Sequence, residues 1–123
     1  MIQAEFNETK GILETILTGV ITIKEIKEYY ASLPSMNNLP KRLKVLIDSN
    51  NARYQFTDAD LKLISESVLP LLGHFEVIIE AIIESSPYET ELAFLYEKRN
   101  EMKNLRFRVF SSKDTACIWL NTF

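Results

Sequence analysis

The chain has 123 residues, of which 46% are hydrophobic and 25% are charged, as in an ordinary single globular domain. Its formal net charge of −3 disfavours nucleic-acid binding, which requires a basic face. Residues 1–5 lack the charged-then-apolar pattern of a signal peptide, and no apolar run approaches the roughly 20 residues of a membrane span. We therefore expect one cytoplasmic domain over residues 1–123, with no membrane span and no nucleic-acid partner.

Strands and helices are predicted to alternate along the chain in the order ββαβαβαβα. Periodicity predicts strands over residues 2–6, 12–21, 43–48, 77–84 and 105–110, and helices over residues 23–33, 58–72, 87–103 and 112–121. Gly11 can take a positive φ in the turn of an N-terminal β-hairpin. The polar residues 49–53 predict a loop, and Pro70 predicts a kink or an early end of the second helix. The predicted fold class is α/β, with a mostly parallel five-stranded sheet, the hairpin and four helices.

A hydroxyl residue three positions before an acid marks the start of each predicted helix. The hydroxyl can accept from a free backbone N–H of the first turn, and the acid can reach back to the cap N–H. The four pairs are Thr22 with Glu25, Thr57 with Asp60, Ser86 with Glu89 and Ser111 with Asp114. Repeated strand-then-cap patterns of this kind are typical of βα units.

Polar residues recur at alternate positions of the predicted strands and predict one polar face of the sheet. In one interpretation, the helices pack on the opposite face and leave the polar face partly open. In the other, one helix covers the polar face, and the charged residues of that face lie at the ends of the strands. Several apolar residues share the same parity, so the face is a candidate ligand or dimer surface. These residues are Ile16, Leu46, Ile78, Ile82 and Phe110.

Glu80 is a lone carboxylate in the most apolar predicted strand. A buried charge costs several kcal/mol unless it is paired, so an adjacent strand is expected to supply a cation. Arg106 and Arg108 of the next strand share the polar parity. We therefore expect a salt bridge from Glu80 to Arg106 or Arg108 on the polar sheet face.

The sequence offers no set of residues for catalysis, a metal or a cofactor. His74 is the one histidine, and its place after Gly73 is typical of a helix C-terminal cap or an exposed loop residue. Cys117 is the one cysteine and lies among apolar residues, so we expect a buried, inert thiol. Acids already occupy the predicted helix starts and would repel a phosphate. We expect a protein that is not an enzyme, with no catalytic, metal-binding or cofactor-binding residue.

The segment from the third strand to the second helix resembles the STAS family, the SpoIIAA-like domains whose founders are anti-sigma-factor antagonists. The matching residues are Leu46-Ile47-Asp48-Ser49 and Phe56-Thr57-Asp58-Ala59-Asp60-Leu61. In the founding antagonists an aspartate-containing turn ends the strand, and the next helix opens with Asp-Ser-Ser-Gly, one of whose serines a partner kinase phosphorylates. Asp48 and Asp58 match the two aspartates. Ala59 and Asp60 stand at the serine positions, so the resemblance implies a fixed charge at Asp60 in place of a phosphorylatable hydroxyl.

The C-terminal half resembles the stand-alone SpoIIAA-like branch, also called STAS/SEC14-like for its similarity to CRAL-TRIO lipid-binding domains. The matching residues are Ser86-Pro87-Tyr88-Glu89-Thr90-Glu91-Leu92-Ala93, Val109-Phe110, Ala116 and Trp119-Leu120. By element order the resemblance covers the whole chain and implies a SpoIIAA-like fold. These motifs carry little information about activity.

Two functions are consistent with the resemblance and with the missing catalytic residues. The first is a non-enzymatic regulatory or interaction module, whose protein-partner surface comprises Asp48, Ser49, Asn50, Asn51, Thr57 and Asp58. The alternative is binding of a small apolar ligand or lipid, which needs a concave pocket of roughly 300 Å³ or more. Any homodimer is expected to use residues 2–6 or the mixed sheet face, because the charges of Arg106 and Arg108 disfavour pairing along the edge of the fifth strand.

Overall fold

The computed structural model describes residues 1–100 and 102–123, and it confirms the expected order ββαβαβαβα. The strands are β1 (Ile2–Asn7), β2 (Ile12–Ile21), β3 (Arg42–Tyr54), β4 (Val77–Ile83) and β5 (Leu105–Phe110). The helices are α1 (Ile23–Ser32), α2 (Leu61–Val68), α3 (Pro87–Arg99) and α4 (Lys113–Leu120). Glu101, which the predicted third helix includes, lies outside the described residues. None of the helices in the described part of the chain has the length and apolar character needed to cross a bilayer.

The five strands lie side by side in chain order, β1-β2-β3-β4-β5. β1 and β2 are antiparallel, and every later pair is parallel. Gly11 has a φ of 68° in the hairpin turn, where its N–H donates to the carbonyl of Asn7 at 2.8 Å. Right-handed crossovers that all step in one direction place their helices on one face of a sheet. Helices α1, α2 and α3 accordingly share a face, whereas α4, which follows the last strand, packs on the other.

Two of the four predicted helix starts have the expected cap. The Thr22 hydroxyl accepts from the N–H of Glu25 at 3.2 Å, and the Glu25 carboxylate accepts from the N–H of Thr22. The Asp60 carboxylate accepts from the N–H of Thr57 at 3.0 Å. This second cap begins a 3₁₀ turn, Asp58–Asp60, that leads into α2. These bonds satisfy N–H groups that the helix itself cannot pair.

The other two predicted caps differ from the structure. α4 begins one residue later than predicted, because the hydroxyl of Ser112 accepts from the N–H of Thr115 at 3.3 Å. Ser86 makes no side-chain cap bond in the described structure, and α3 begins with Pro87 at its first position. α2 ends at Val68 and continues as a 3₁₀ turn over Leu69–Gly73, which agrees with the early end predicted at Pro70.

The larger of two hydrophobic cores lies between one sheet face and helices α1, α2 and α3. Val45 and Ile78 of the sheet pack in it with Ile26, Ile64 and Leu92 of the three helices. Full burial of one such side chain contributes roughly 1.5–3 kcal/mol. The packing of the three helices on this sheet face therefore accounts for most of the hydrophobic stabilisation of the fold.

The smaller core lies between the opposite sheet face and α4. Leu46, Ile79 and Ala81 pack there against Ala116 and Leu120 of α4. α4 follows β5, so it covers the part of the face formed by β3, β4 and β5. One helix thus covers part of this face.

The predicted ligand or dimer face is wrong, because its five residues lie on both faces of the sheet. Ile16, Leu46 and Phe110 lie on the face that carries α4. Ile78 and Ile82 belong to the larger core under α1, α2 and α3. The physical reason is that β4 is buried along its whole length, so its alternation does not distinguish the two faces.

The predicted salt bridge of Glu80 is also wrong. Glu80 lies opposite Phe107 of β5, so the adjacent Arg106 and Arg108 point to the other face of the sheet. Glu80 is fully buried in the larger core, where the hydroxyl of Tyr30 lies 3.0 Å and 3.3 Å from its two oxygens. A helix supplies the partner that we expected from a neighbouring strand.

Candidate functional site

The carboxyl edge of the sheet is built by an extension of β3 that the sequence predicts as a loop. β3 continues to Tyr54 because the long β2 pairs with it as far as Ile21. A register shift in this pairing absorbs one extra residue of β3. β4 ends earlier, where Ile83 pairs with Asp48. Residues 49–54 therefore project beyond β4, at the edge where open parallel sheets bind ligands.

Four residues at this edge form one hydrogen-bonded group, which we call the edge cluster: Ser49, Tyr54, Glu84 and Glu89. The hydroxyl of Tyr54 is hydrogen-bonded to the hydroxyl of Ser49 at 2.6 Å and donates to the Glu84 carboxylate. The backbone N–H of Tyr54 donates to the Glu89 carboxylate at 3.2 Å. Tyr54 thereby ties the end of β3 to the end of β4 and to the first turn of α3.

Burial raises the pKa of Glu84 to about 7, although the hydrogen bonds from Tyr54 and Ser49 oppose this shift. The nearby carboxylates of Glu89 and Asp48 raise it further. One oxygen of Glu84, Oε1, is buried with no partner among the described residues. Burial also raises the pKa of Tyr54, so its phenol keeps its proton and remains a donor. The edge cluster therefore contains an acid that exchanges its proton near neutral pH.

Three residues of the edge cluster are absent from the sequence-based site. Tyr54 follows a run of polar residues that predicts a loop, and Glu89 fits the pattern of a capping partner for Ser86. Glu84 ends the most apolar strand, and an acid at that position needs a buried partner. The need of Glu84 for a buried partner is the one feature of the sequence that indicates the edge cluster. The identity of the partner depends on the strand pairing of β3, which local patterns do not reveal.

The residues of the predicted partner surface lie in different environments in the structure. Asp48 is half-buried on the α4 face, where its carboxylate accepts from the N–H of Asn50 at 3.1 Å. Ser49 is buried in the edge cluster, whereas Asn50 and Asn51 are exposed. Thr57 and Asp58 are exposed at the start of the segment leading to α2, on the three-helix side. The predicted residues therefore border one edge of the sheet but do not share one face.

A shallow groove lies beside Thr57 and Asp58, between the start of α2 and α3. Its lining residues are Thr57, Asp58, Tyr88, Glu91, Leu92 and Leu95. The hydroxyl of Tyr88 donates to the backbone carbonyl of Phe56 at 2.6 Å and so spans the groove. Tyr88 and Leu95 are 47% and 41% exposed, which gives this part of the surface an apolar character.

A cavity of about 70 Å³ lies in the larger core, between the sheet and helices α1, α2 and α3. Its walls are almost entirely apolar, and they include the four tyrosines Tyr29, Tyr30, Tyr54 and Tyr96. The hydroxyl of Tyr30 donates to Glu80, while burial and, to a smaller extent, the charge of Glu80 raise the pKa of Tyr96. Burial raises the pKa of Glu80 to about 7, against the opposing effect of the Tyr30 hydrogen bond.

The described residues include no group of three or more histidine, cysteine or acidic side chains arranged to hold a metal ion. His74 is exposed beyond the 3₁₀ turn, with its ring at an edge-on angle to Phe75. Cys117 is partly buried in α4. Ser49 bonds to a phenol, which is a poor general base while it keeps its proton. The edge cluster can therefore exchange hydrogen bonds and a proton, but it lacks the nucleophile–imidazole pairing of a hydrolase.

The chain is an α/β protein with a mixed five-stranded sheet, and its fold has a counterpart among solved structures. It is similar to an uncharacterised protein of the DUF3478 family from Shewanella loihica PV-4, which has a SpoIIAA-like fold. The two share 18% sequence identity and a TM-score of 0.62, over 98% of this chain and 92% of the other. No family model and no curated protein sequence matches the chain. The expected SpoIIAA-like fold is confirmed.

Proposed function

We propose that the protein is a non-enzymatic interaction module that binds a protein partner at the carboxyl edge of its sheet. The observation that supports this most is the edge cluster. Its buried hydrogen bonds fix the backbone on which Asn50 and Asn51 are exposed. Such preorganisation lowers the entropy lost when a surface binds its partner. Thr57 and Asp58 supply further exposed polar groups at the same edge.

Partner binding is proposed to occur without a phosphorylation switch at the start of α2. Ala59 and Asp60 occupy the positions that serines hold in the founding antagonists. The carboxylate of Asp60 accepts from the N–H of Thr57, so the negative charge at this position also stabilises the helix start. An aspartate at this position, instead of a serine that a kinase can phosphorylate, supports a partner surface whose charge does not change by phosphorylation.

Charge reversal at two aspartates tests the partner surface. We expect Asp48→Lys and Asp58→Lys each to lose proteins that the wild type retains in a pull-down from cell extract. Glu8→Lys is the matched control, because Glu8 is an exposed acid at the hairpin turn, by the opposite edge of the sheet. Circular dichroism of each variant checks the fold. Retention of the same proteins by both aspartate variants would remove this surface from consideration.

Binding of a small apolar ligand or a lipid is the second candidate function, and the cavity in the larger core favours it. The cavity is apolar, but about 70 Å³ is far below the roughly 300 Å³ of an ordinary ligand pocket. A compact ligand fits this space better than a lipid chain does. Native mass spectrometry of freshly purified protein tests for a co-purified ligand, and a bare mass in every preparation would count against this function.

We also propose that a homodimer, where one forms, uses the free edge of β1. Met1 and Thr18 exchange backbone hydrogen bonds, so the alternate residues Ile2, Ala4 and Phe6 direct their N–H and C=O groups away from β2. The outer edge of β5 is partly covered, because the N–H of Val109 donates to the Glu97 carboxylate at 3.0 Å.

Light scattering tests the β1 dimer. We expect a dimer at high micromolar concentration and a monomer for Ala4→Pro, because proline removes an outward N–H that an edge strand can spare. A wild type that stays monomeric, or an Ala4→Pro variant that stays dimeric, contradicts this interface.

A further inference from the structure

A surface groove of about 460 Å³ lies along the outer edge of β5, between α3 and the end of α4. Glu97 and Asn100 line its α3 side, and Trp119 and Phe123 line its α4 side. The residues of β5 that line it are Leu105, Arg106, Phe107 and Arg108. β5 is the last strand of the sheet, so this groove follows a strand edge that has no neighbouring strand. A groove of this kind suits an extended segment of polypeptide.

The backbone of β5 alternates between β4 and the groove. The N–H of Ile78 donates to the carbonyl of Asn104 at 3.0 Å, and the N–H of Glu84 donates to the carbonyl of Phe110 at 3.0 Å. Since the backbone groups of successive residues point to opposite sides of a strand, the even-numbered residues of β5 bond to β4. Residues 105, 107 and 109 therefore direct their N–H and C=O groups toward the groove.

Phe107 provides the unpaired part of this edge. The N–H of Leu105 donates to the carbonyl of Met102 at 3.4 Å, and the N–H of Val109 donates to the Glu97 carboxylate at 3.0 Å. Between these two bonds, the N–H and C=O of Phe107 have no partner among the residues that the structure describes. An added strand that pairs at Phe107 would satisfy both groups, which is how sheet edges bind extended peptides.

Positive charge surrounds these backbone groups. Three cations line the groove together with one acid, Glu97, although the whole chain has a net charge of −3. The cations are Lys103, Arg106 and Arg108. Arg106 and Arg108 are exposed on the α4 face of the sheet, and neither forms an ion pair with a described residue. The groove is therefore complementary to negative charge.

Aromatic rings pack against the two guanidinium groups. The guanidinium carbon of Arg106 lies 5.9 Å from the centroid of the Phe123 ring, and that of Arg108 lies 5.6 Å from the centroid of the Phe110 ring. Contact with a ring leaves the N–H groups of the planar guanidinium available to a carboxylate. Residues two positions apart on a strand share a face and lie roughly 7 Å from each other. The two arginines therefore match acids at alternate positions of a paired strand.

We propose that the outer edge of β5 binds an extended acidic segment of a partner protein, which pairs at Phe107 and places alternate carboxylates beside Arg106 and Arg108. Like charges directly opposite each other destabilise a strand pair, so the same edge of a second copy is disfavoured as the occupant. The residues between the acids point to the α3 side, where Glu97 would repel further negative charge. The expected segment therefore alternates acids with uncharged residues. This surface is separate from the proposed partner surface at Asp48 and Asp58.

A short peptide in which glutamate alternates with valine is the probe. Fluorescence anisotropy of the labelled peptide gives its Kd. We expect Arg106→Glu and Arg108→Glu each to weaken binding about tenfold or more, because each replaces an attraction by a repulsion. Lys62→Glu is the matched control, since it changes the net charge equally at an exposed residue of α2 outside the groove. It should leave the Kd within about twofold of the wild type. Circular dichroism checks the fold of each variant.

Methylation of the peptide backbone tests the strand pairing. One derivative carries methyl groups on the valine nitrogens, and the other carries them on the glutamate nitrogens. N–H groups of alternate residues point to opposite edges of a strand, so only one of the two sets can face β5. We expect one derivative to bind about tenfold more weakly than the parent peptide and the other to keep its affinity. Equal affinities of the two derivatives would overturn the proposed pairing.

Three further results would also overturn the proposal. Unchanged affinity in both arginine variants would exclude the charge match. Tighter binding of a single-stranded oligonucleotide of the same charge would indicate a nucleic acid as the occupant. A wild-type homodimer that Arg106→Glu converts to a monomer would assign the edge of β5 to a second copy of the chain.

Discussion

Glu80 in the middle of β4 and Glu84 just past its end are two buried acids with similar partners and different surroundings. Each is hydrogen-bonded by a tyrosine, Tyr30 for Glu80 and Tyr54 for Glu84, and burial raises both pKa values to about 7. Glu80 lies in the larger core, among side chains from the sheet and α1. Glu84 lies at the sheet edge, in a cluster that also holds the backbone of β3 and α3.

This difference separates two roles of a buried carboxyl group. Replacement of the partner of Glu80 affects the larger core, because Glu80 is fully buried there. Replacement of the partner of Glu84 affects the exposed residues beside it, which form the proposed partner surface. We therefore expect the interior pair to govern global stability and the edge pair to govern local order.

The pH dependence of stability gives the largest expected effect. The pKa of each carboxyl is raised from 4.5 in the unfolded chain to about 7 in the fold, so the folded state binds more protons between these values. The resulting stabilisation is complete below about pH 4.5 and is lost as the pH rises through 7. We expect the free energy of unfolding to fall by on the order of 3 kcal/mol per carboxyl over this window.

Urea denaturation from pH 4.5 to pH 8 measures this dependence. Glu80→Gln and Glu84→Gln each remove one titrating group and should each flatten the curve, and both variants should exceed the wild type in stability at pH 8. An identical curve for a variant and the wild type would show that its carboxyl has the same pKa in both states.

Tyr30→Phe gives the next largest effect. It leaves Glu80 without the tyrosine hydrogen bond, which should cost roughly 1–3 kcal/mol in the free energy of unfolding. It should also raise the pKa of Glu80 further, so the loss of stability extends to higher pH. Tyr29→Phe is the control, because it removes a bond to Thr15 and leaves the pH dependence unchanged. Equal pH profiles for the two variants would contradict this role of Tyr30.

Tyr54→Phe gives the smallest effect on global stability, about 1 kcal/mol, because Tyr54 is only half-buried and Glu84 keeps its hydrogen bond from Ser49. Its main effect should be local. We expect backbone amides of residues 49–54 to exchange hydrogen about tenfold faster, while amides of β4 keep their protection. Hydrogen exchange followed by NMR measures both. Uniform acceleration along the chain would show that the edge cluster is part of the global core.

The element order follows directly from the sequence, and the errors lie where two elements must be brought together. The Thr22 and Thr57 caps and the early end of α2 depend on a few neighbouring residues, which local patterns reveal. The hydrogen-bond partner of Glu80 is Tyr30 of α1, which lies 50 positions earlier in the sequence. Tyr30 is buried in the larger core with Ile26 of the same helix, but strand parity cannot show which acid it contacts.

The extension of β3 over residues 49–54 is a second feature that local sequence patterns do not reveal. Serine and two asparagines before residue 52 are typical of a loop, and their own propensity is overridden by a partner. β2 has ten residues and is longer than the predicted third strand, residues 43–48. This difference in length indicates that the third strand extends beyond residue 48. The edge cluster depends on this extension, since Tyr54 lies at its end.

The chain-order arrangement of the strands has a consequence for how the protein folds. Every strand pairs with its predecessor in sequence, so each new pairing closes a loop that spans one connection at most. Contacts that are close in sequence lower the entropic barrier to folding and speed the search for the native state. A chain emerging from the ribosome can add strands one at a time to a growing sheet, starting from the N-terminal hairpin. We expect this domain to fold faster than a β-sandwich of equal length, with β5 and α4 joining last.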